Sequence, residues 1–102
     1  VWKLEGIEAR DDCRRVATLL RDGERRGVLG LVLGRGADRA TVERWLRAAA
    51  GVPGYAGFAI GRTIWGDAVR GWNDGTLNRQ QAVASIARLY RHFIDVYQEA
   101  AP

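Results

Sequence analysis

The sequence predicts an α/β fold with a parallel sheet, because short apolar runs alternate with helical patterns three times along 102 residues. Each apolar run stops at glycine or polar residues, and each helical stretch repeats apolar residues at spacings of three and four. Strands that alternate with helices are joined by right-handed crossovers, which makes neighbouring strands parallel. The length fits a single domain, 1–102.

The first unit begins with a predicted buried strand, the short apolar run from Val1 to Ile7. Asp11 or Asp12 is the expected N-cap of the following helix, and Gly23 its expected stop. One face of that helix is apolar at positions i, i+3, i+4 and i+7, namely Cys13, Val16, Ala17 and Leu20. Cys13 is therefore predicted to be a small core residue.

The second unit has a strand from Val28 to Leu33 that is apolar at every position, as expected of a parallel strand covered on both faces. Asp38 is the predicted N-cap of the next helix, which Gly51 and Pro53 should close. The buried side of this helix is predicted to carry Val42, Trp45, Leu46 and Ala49.

The third unit has a strand from Tyr55 to Ile60 and then a short helical turn, which the sequence Asn73-Asp74-Gly75 should end. Asn78, with Gln81 three residues later, predicts a capping box for the final helix. The apolar face of that helix comprises Ala82, Ile86, Leu89, Phe93 and Tyr97.

Charge and composition exclude several function classes. The net charge is +4, but the arginines alternate with acids and match no nucleic-acid-reading motif, so we expect no nucleic-acid partner. The absence of a long apolar stretch or a signal-peptide pattern predicts no membrane association, and a single cysteine fits a reducing, cytoplasmic setting. No metal-ligand spacing occurs, we expect no cofactor, and the lone His92 is predicted to be a surface or packing residue.

Lys3 is the only lysine, since the other fifteen basic residues are arginine. A desolvated amine can lose its proton and attack a carbonyl carbon, which a guanidinium cannot do. The alternative is a lysine whose alkyl stem packs while its head reaches water. Glu5, two residues later, should face the same side of the strand, where it could move protons or simply pair with Lys3.

Glycine and arginine follow the two later strands. Gly34-Arg35-Gly36 and Gly61-Arg62-Thr63 both precede a helix, where backbone amides, the helix start and an arginine fork suit a phosphate group. A tight turn without a ligand is the alternative, and a dinucleotide fingerprint is disfavoured because Arg39 stands where its third glycine belongs. Trp65, close to the end of a strand, is a candidate pocket-lining residue.

Three segments carry a family resemblance: Val1 to Gly6, Val32 to Gly36 and, most specifically, Gly51 to Trp65. They resemble the 2-deoxy-5-keto-gluconate 6-phosphate aldolase-like domain of inositol catabolism, which is often fused to a sugar kinase. A more distant likeness is to tagatose 1,6-bisphosphate aldolase, a class I enzyme.

The resemblance implies that residues 1–102 are the C-terminal three βα units, strands six to eight, of a TIM (β/α)8 barrel, incomplete alone because a whole barrel has ~250 residues. It implies that Lys3 forms the Schiff base and that Gly61 and Arg62 hold the substrate phosphate. In the tagatose enzyme a serine stands in place of Gly34, so phosphate contact there would come from Arg35 or backbone amides. The acid/base carboxylate of that family would lie upstream of Val1, and the missing initiator Met fits a partial chain.

The function expected from the resemblance is therefore that of a lyase, a class I aldolase acting on a phosphorylated keto-sugar or keto-sugar acid. The alternative is a non-catalytic partial barrel, or a phosphosugar-binding assembly module, whose open sheet edge is covered by the remaining barrel segment or by another copy.

Overall fold

The computed structural model describes residues 1–102 and confirms the α/β class, with three strands and four helices. The strands are β1 (Trp2–Leu4), β2 (Gly30–Leu33) and β3 (Tyr55–Ala59). The helices are α1 (Arg10–Leu20), α2 (Arg39–Ala49), α3 (Arg62–Asp74) and α4 (Arg79–Ala100).

The three strands form one parallel sheet in the order β1-β2-β3, as the alternating pattern predicts. Lys3 lies opposite Leu31, and Leu31 lies opposite Gly57. Side chains at paired positions project from the same face of a sheet, and their chain neighbours project from the other. Lys3 and Leu31 therefore share one face, while Leu4 and Val32 share the opposite one.

The helices cover only the face that carries Val32. Val32 is 2% exposed and belongs to a core built with residues from all four helices. Leu4 of β1 and Leu20 of α1 both lie directly over Gly30, on this same face. Leu31 and Leu33 are only half-buried and do not join the core. The buried core comprises Cys13, Ala17, Val32, Val42, Leu46, Ala48, Ala49, Val52, Ile64, Phe93 and Val96.

Two strand predictions are wrong about burial. The run from Val28 to Leu33 is covered on one face instead of two. The run from Val1 to Ile7 gives a strand of three residues in which Trp2 is 56% exposed. In both cases the face of the sheet opposite Val32 contributes nothing to the core of this chain. β1 is in addition an edge strand, with a neighbour on one side only.

The helix caps agree with the sequence in α2 and α4. The Asp38 carboxylate accepts a hydrogen bond from the Thr41 amide at 2.8 Å. Asn78 and Gln81 form the complete reciprocal capping box. Each of these bonds satisfies a backbone amide that the helix itself leaves without a partner.

The predicted caps of α1 and α3 need correction. Ala9 is the N-cap of α1, without a side-chain bond, and Asp11 and Asp12 lie in the first turn, where they pair with Arg14 and Arg15. The expected short turn after β3 is a 13-residue helix, α3, that begins directly at Arg62. It ends at Gly75, whose φ of 85° is left-handed, as is usual for a glycine that closes a helix.

Arg10 fastens α1 to α2. Its guanidinium donates to the carbonyl oxygens of Ala50 at 2.6 Å and Arg47 at 2.7 Å. Carbonyls at a helix end lack intrahelical partners and carry partial negative charge, so a cation there both satisfies and neutralises them.

The chain is elongated, with principal extents of 52 × 23 × 18 Å. Its radius of gyration is 15.4 Å, compared with about 13 Å for a compact domain of this length. Only 19 of the 102 residues are buried. The sheet and its helices thus form two layers, with the second face of the sheet open. None of the helices combines the length and the apolar character needed to cross a membrane.

Candidate functional site

The loop after β2 is a tight turn with an unusual backbone. The Ala37 amide donates to the Gly34 carbonyl at 2.9 Å, and the two residues between them have positive φ, 54° at Arg35 and 70° at Gly36. Two positive φ values in succession define a type I′ turn. Arg35 is the only non-glycine residue of the chain with positive φ, and such a conformation outside glycine often marks a functional position.

The loop after β3 runs directly into α3 and is tied to the first loop. Gly61 is the N-cap of α3 and offers no side chain, so the first turn of the helix begins without a side-chain cap. The Thr63 hydroxyl donates to the Ala37 carbonyl at 2.6 Å. The Arg62 guanidinium lies over Gly36, with Cζ 3.0 Å from the position a β-carbon there would occupy.

The two loops border a cavity of about 380 Å³ at the carboxyl ends of β2 and β3. Arg62 takes part in none of the ion pairs of the chain, whereas Arg70 in the same cavity is paired with Asp67. An unpaired guanidinium beside an uncapped helix start is a favourable position for an anion. The cavity is lined by Gly36, Ala37, Asp38, Arg39, Arg62, Thr63, Asp67, Arg70 and Leu89.

Lys3 lies apart from this cavity. It is exposed, has no ion-pair partner and projects from the open face of the sheet. Through Leu31, its register position on β3 is that of Gly57. Lys3 is therefore two strand spacings of about 4.8 Å each from Gly57, and Arg62 lies a further five residues along the chain from Gly57. The structure places both groups at the same sheet but brings them into no direct contact.

Glu5 pairs with Arg35 instead of Lys3. The Arg35 Nη1 donates to Glu5 Oε1 at 2.6 Å, and both side chains are about two-thirds exposed. The contact ties the end of β1 to the turn after β2. Arg35 is therefore partly neutralised, which leaves Arg62 as the stronger anion ligand of the two predicted arginines.

Trp65 lies beside the second loop without lining the cavity. Its indole Nε1 is 3.0 Å from the position of a β-carbon on Gly61, and the residue is 42% exposed. Gly61 is thus required for the close approach of this ring.

A family model for "Uncharacterized protein conserved in bacteria (DUF2090)" matches residues 1–101. The chain belongs to the DUF2090 family. Comparison with curated proteins and with solved structures gave no match.

This DUF2090 chain also contains an ion-pair cluster that the sequence analysis missed. Glu43 of α2 accepts a hydrogen bond from His92 Nε2 of α4 and a second from Arg39 Nε at 3.1 Å, with Arg47 Nη1 at 3.6 Å. The bond from His92 lowers the pKa of Glu43, and Arg39 adds to this effect, against the opposite effect of burial. The one sequence signal was the spacing of Arg39, Glu43 and Arg47, at successive helical turns.

The remaining nucleophile of the DUF2090 chain is buried. Cys13 is 1% exposed, as its place in the apolar stripe predicts, and burial raises the pKa of its thiol. The adjacent Tyr55 hydroxyl is buried beside Cys13, and burial raises its pKa as well. No group of three or more His, Cys, Asp and Glu side chains is arranged to hold a metal ion.

Proposed function

We propose that this chain supplies the Schiff-base lysine and the phosphate-binding rim of a class I aldolase-type lyase. The substrate would be a phosphorylated keto-sugar or keto-sugar acid, similar to 2-deoxy-5-keto-gluconate 6-phosphate. The observation that carries the proposal is the unpaired Arg62 at the start of α3, just beyond the end of β3, in a sheet whose open face presents the only lysine.

The sheet topology supports a barrel segment. The strand order is sequential, and the helices contribute to a core on one face only. In doubly wound sheets the strand order reverses and helices lie on both faces, whereas a barrel keeps all helices outside and the other face inside. The open face with Lys3, Leu31 and Gly57 would then be the barrel interior, closed by strands supplied from outside this chain.

The two helices after β3 support the assignment of the phosphate rim. In many barrels, phosphate binds to the loops after the last two strands and to the start of a short extra helix. Here α3 begins directly at Arg62, and α4 follows it as the long outer helix. Gly36, Arg62 and Thr63 meet at that point, linked by the bond from Thr63 to Ala37.

The proposed chemistry starts at the Lys3 amine. Its lone pair attacks the substrate ketone, and loss of water leaves a protonated imine. The acid/base carboxylate supplied from outside this chain takes the proton of the hydroxyl on the departing carbon. The bond between that carbon and the α-carbon of the imine then breaks, its electron pair passes into the imine to give an enamine, and an aldehyde leaves. Protonation of the enamine and hydrolysis release the second fragment. Arg62 would fix the phosphate and thereby orient the scissile bond.

Two requirements follow from the geometry. Lys3 is exposed in this chain, so the proposal needs a covering segment that makes its surroundings poor in water. The resemblance implies that the acid/base carboxylate lies upstream of Val1, and the nearby Glu5 is engaged by Arg35.

The second candidate function is a phosphosugar-binding or assembly module without catalysis. It is favoured by the elongated shape and by the half-buried Leu31 and Leu33, which belong to no core in this chain. Under this alternative, phosphate esters bind at Arg62 and no covalent intermediate forms.

Borohydride trapping distinguishes the two. The protein is incubated with a phosphorylated ketose, reduced, and analysed by intact mass and peptide mapping. The aldolase proposal expects one adduct on Lys3, which would block tryptic cleavage there. The Lys3→Met variant is the matched control, because Lys3 is the only lysine of these 102 residues. An adduct that persists in this variant would contradict the aldolase proposal, as would phosphate binding without any adduct in an assembly that includes the covering segment.

A further inference from the structure

A second polar cavity lies between α2 and α4, outside the strand-end loops. Its volume is about 370 Å³, and its lining consists of Arg39, Ser85, Arg88, Leu89 and His92. It shares Arg39 and Leu89 with the strand-end cavity but contains neither Arg62 nor Thr63. The two cavities are neighbours with different donor groups.

Glu43 forms hydrogen bonds with two of the side chains that line this second cavity. Its side chain is only 19% exposed and bonds to Arg39 and His92, with Arg47 next in distance. The contact with Arg39 uses Nε alone, so the two terminal nitrogens of that guanidinium have no partner in the chain. One partly buried carboxylate therefore fixes an arginine and a histidine that line the cavity, while two nitrogens of Arg39 stay free to donate.

The cavity contains further unpartnered donors. Arg88 forms no ion pair, and the Ser85 hydroxyl forms no hydrogen bond within the chain. No carboxylate is among the lining residues. Two arginines around one concave surface, with a single neighbouring carboxylate, give a positive potential that attracts anions. Arginine forks match the oxygen geometry of a phosphate group.

We propose that this cavity is a second anion-binding site, which takes a phosphate group through Arg39, Arg88 and Ser85. Glu43 is its positioning residue, because it holds Arg39 and His92 in place without facing the ligand. The site is independent of Lys3 and Arg62, so it goes beyond the aldolase proposal and does not rest on it.

The test is a titration with inorganic phosphate followed by backbone amide chemical shifts. We expect shifts at Ser85 and His92 from the second site, and at Gly36 and Thr63 from the strand-end site. Arg88→Gln should lower the phosphate affinity measured at Ser85 and His92 about tenfold or more, because a charge-assisted fork is lost there. The affinity measured at Gly36 and Thr63 should stay unchanged. Arg79→Gln, on the same helix and outside the cavity, is the matched control and should change the phosphate affinity of neither site.

Arg62→Gln separates this site from the proposed function, because it should abolish the shifts at Gly36 and Thr63 and leave those at Ser85 and His92. Wild-type protein in which Ser85 and His92 do not respond to phosphate would overturn the second site, as would equal losses in Arg88→Gln and Arg79→Gln.

Glu43→Gln tests the positioning role. Removal of a negative charge alone would strengthen phosphate binding, whereas loss of the fixed Arg39 should weaken it several-fold. Stronger binding in this variant would rule out positioning by Glu43. A parallel titration with glycerol 1-phosphate identifies the source of the phosphate group: tighter binding than inorganic phosphate indicates an ester ligand, and equal or weaker binding indicates the free ion.

Discussion

The Arg62 guanidinium lies over Gly36, 3.0 Å from where a β-carbon on that glycine would be. Residues from two different strand ends therefore share one small space. Gly36 is suited to it in two ways, because its φ of 70° is left-handed and because it has no side chain to displace the guanidinium.

Gly36→Ala should therefore weaken phosphate binding as well as stability. The new methyl group would displace the Arg62 guanidinium by a few tenths of an ångström. We expect phosphate affinity at Gly61 and Thr63 to fall about threefold, less than when a charge-assisted contact is lost outright. Gly23→Ala is the matched control, since its φ is 62° and no atom lies near its β-carbon position. Both should lose about 1–2 kcal/mol of stability from left-handed strain, while only Gly36→Ala changes binding. Equal phosphate affinity in the two variants would separate Arg62 from the anion site.

Gly6→Ala should disrupt the packing of α2. The Trp45 ring occupies the space where a β-carbon of residue 6 would go, and the same indole donates to Glu8 at 3.1 Å. We expect a loss of about 1–3 kcal/mol, as for other overpacked sites. Urea denaturation measures it, with Gly27→Ala, which contacts nothing, as the control. Adding Trp45→Leu should recover part of the loss, and a double variant no more stable than Gly6→Ala would argue against this clash.

Glu43 should make the free energy of unfolding depend on pH. Its pKa is lowered in the folded state, first by the bond from His92 and then by Arg39. A carboxyl group of this kind contributes stability above its unfolded pKa, near 4.5, and the contribution disappears as pH falls through the lower folded value. The unfolding free energies of wild type and Glu43→Gln should therefore differ most above pH ~5 and converge once the pH is below the folded-state pKa of Glu43. A difference that is constant with pH would exclude the ionised carboxylate as its origin.

Local signals in the sequence were enough to predict the order of the elements, two of the caps and the burial of Cys13. The Asp38 and Asn78 caps depend on residues three positions away, and the place of Cys13 follows from helical periodicity. Those determinants are all contained in short segments, so they can be identified without knowledge of the fold.

Long-range contacts could not be predicted in the same way. The bond between Glu43 and His92 joins residues 49 positions apart, and the contact of Arg62 with Gly36 requires two loops to meet. The apolar run of β2 predicted cover on both faces, but apolar residues report only that a surface favours burial, and they do not specify which chain buries it.

The two faces of β2 should respond differently to a polar substitution. Val32 is 2% exposed within the core, so Val32→Thr would bury a hydroxyl at a cost of about 1–3 kcal/mol. Leu31→Thr, one residue away on the open face, should cost less than half as much, because Leu31 is only half-buried and does not pack against the core. Sedimentation equilibrium should also show weaker self-association of Leu31→Thr if copies of the chain cover that face. Equal losses of stability in a monomeric protein would mean that this chain covers both faces of the sheet itself, and a barrel interior at Leu31 would then be untenable.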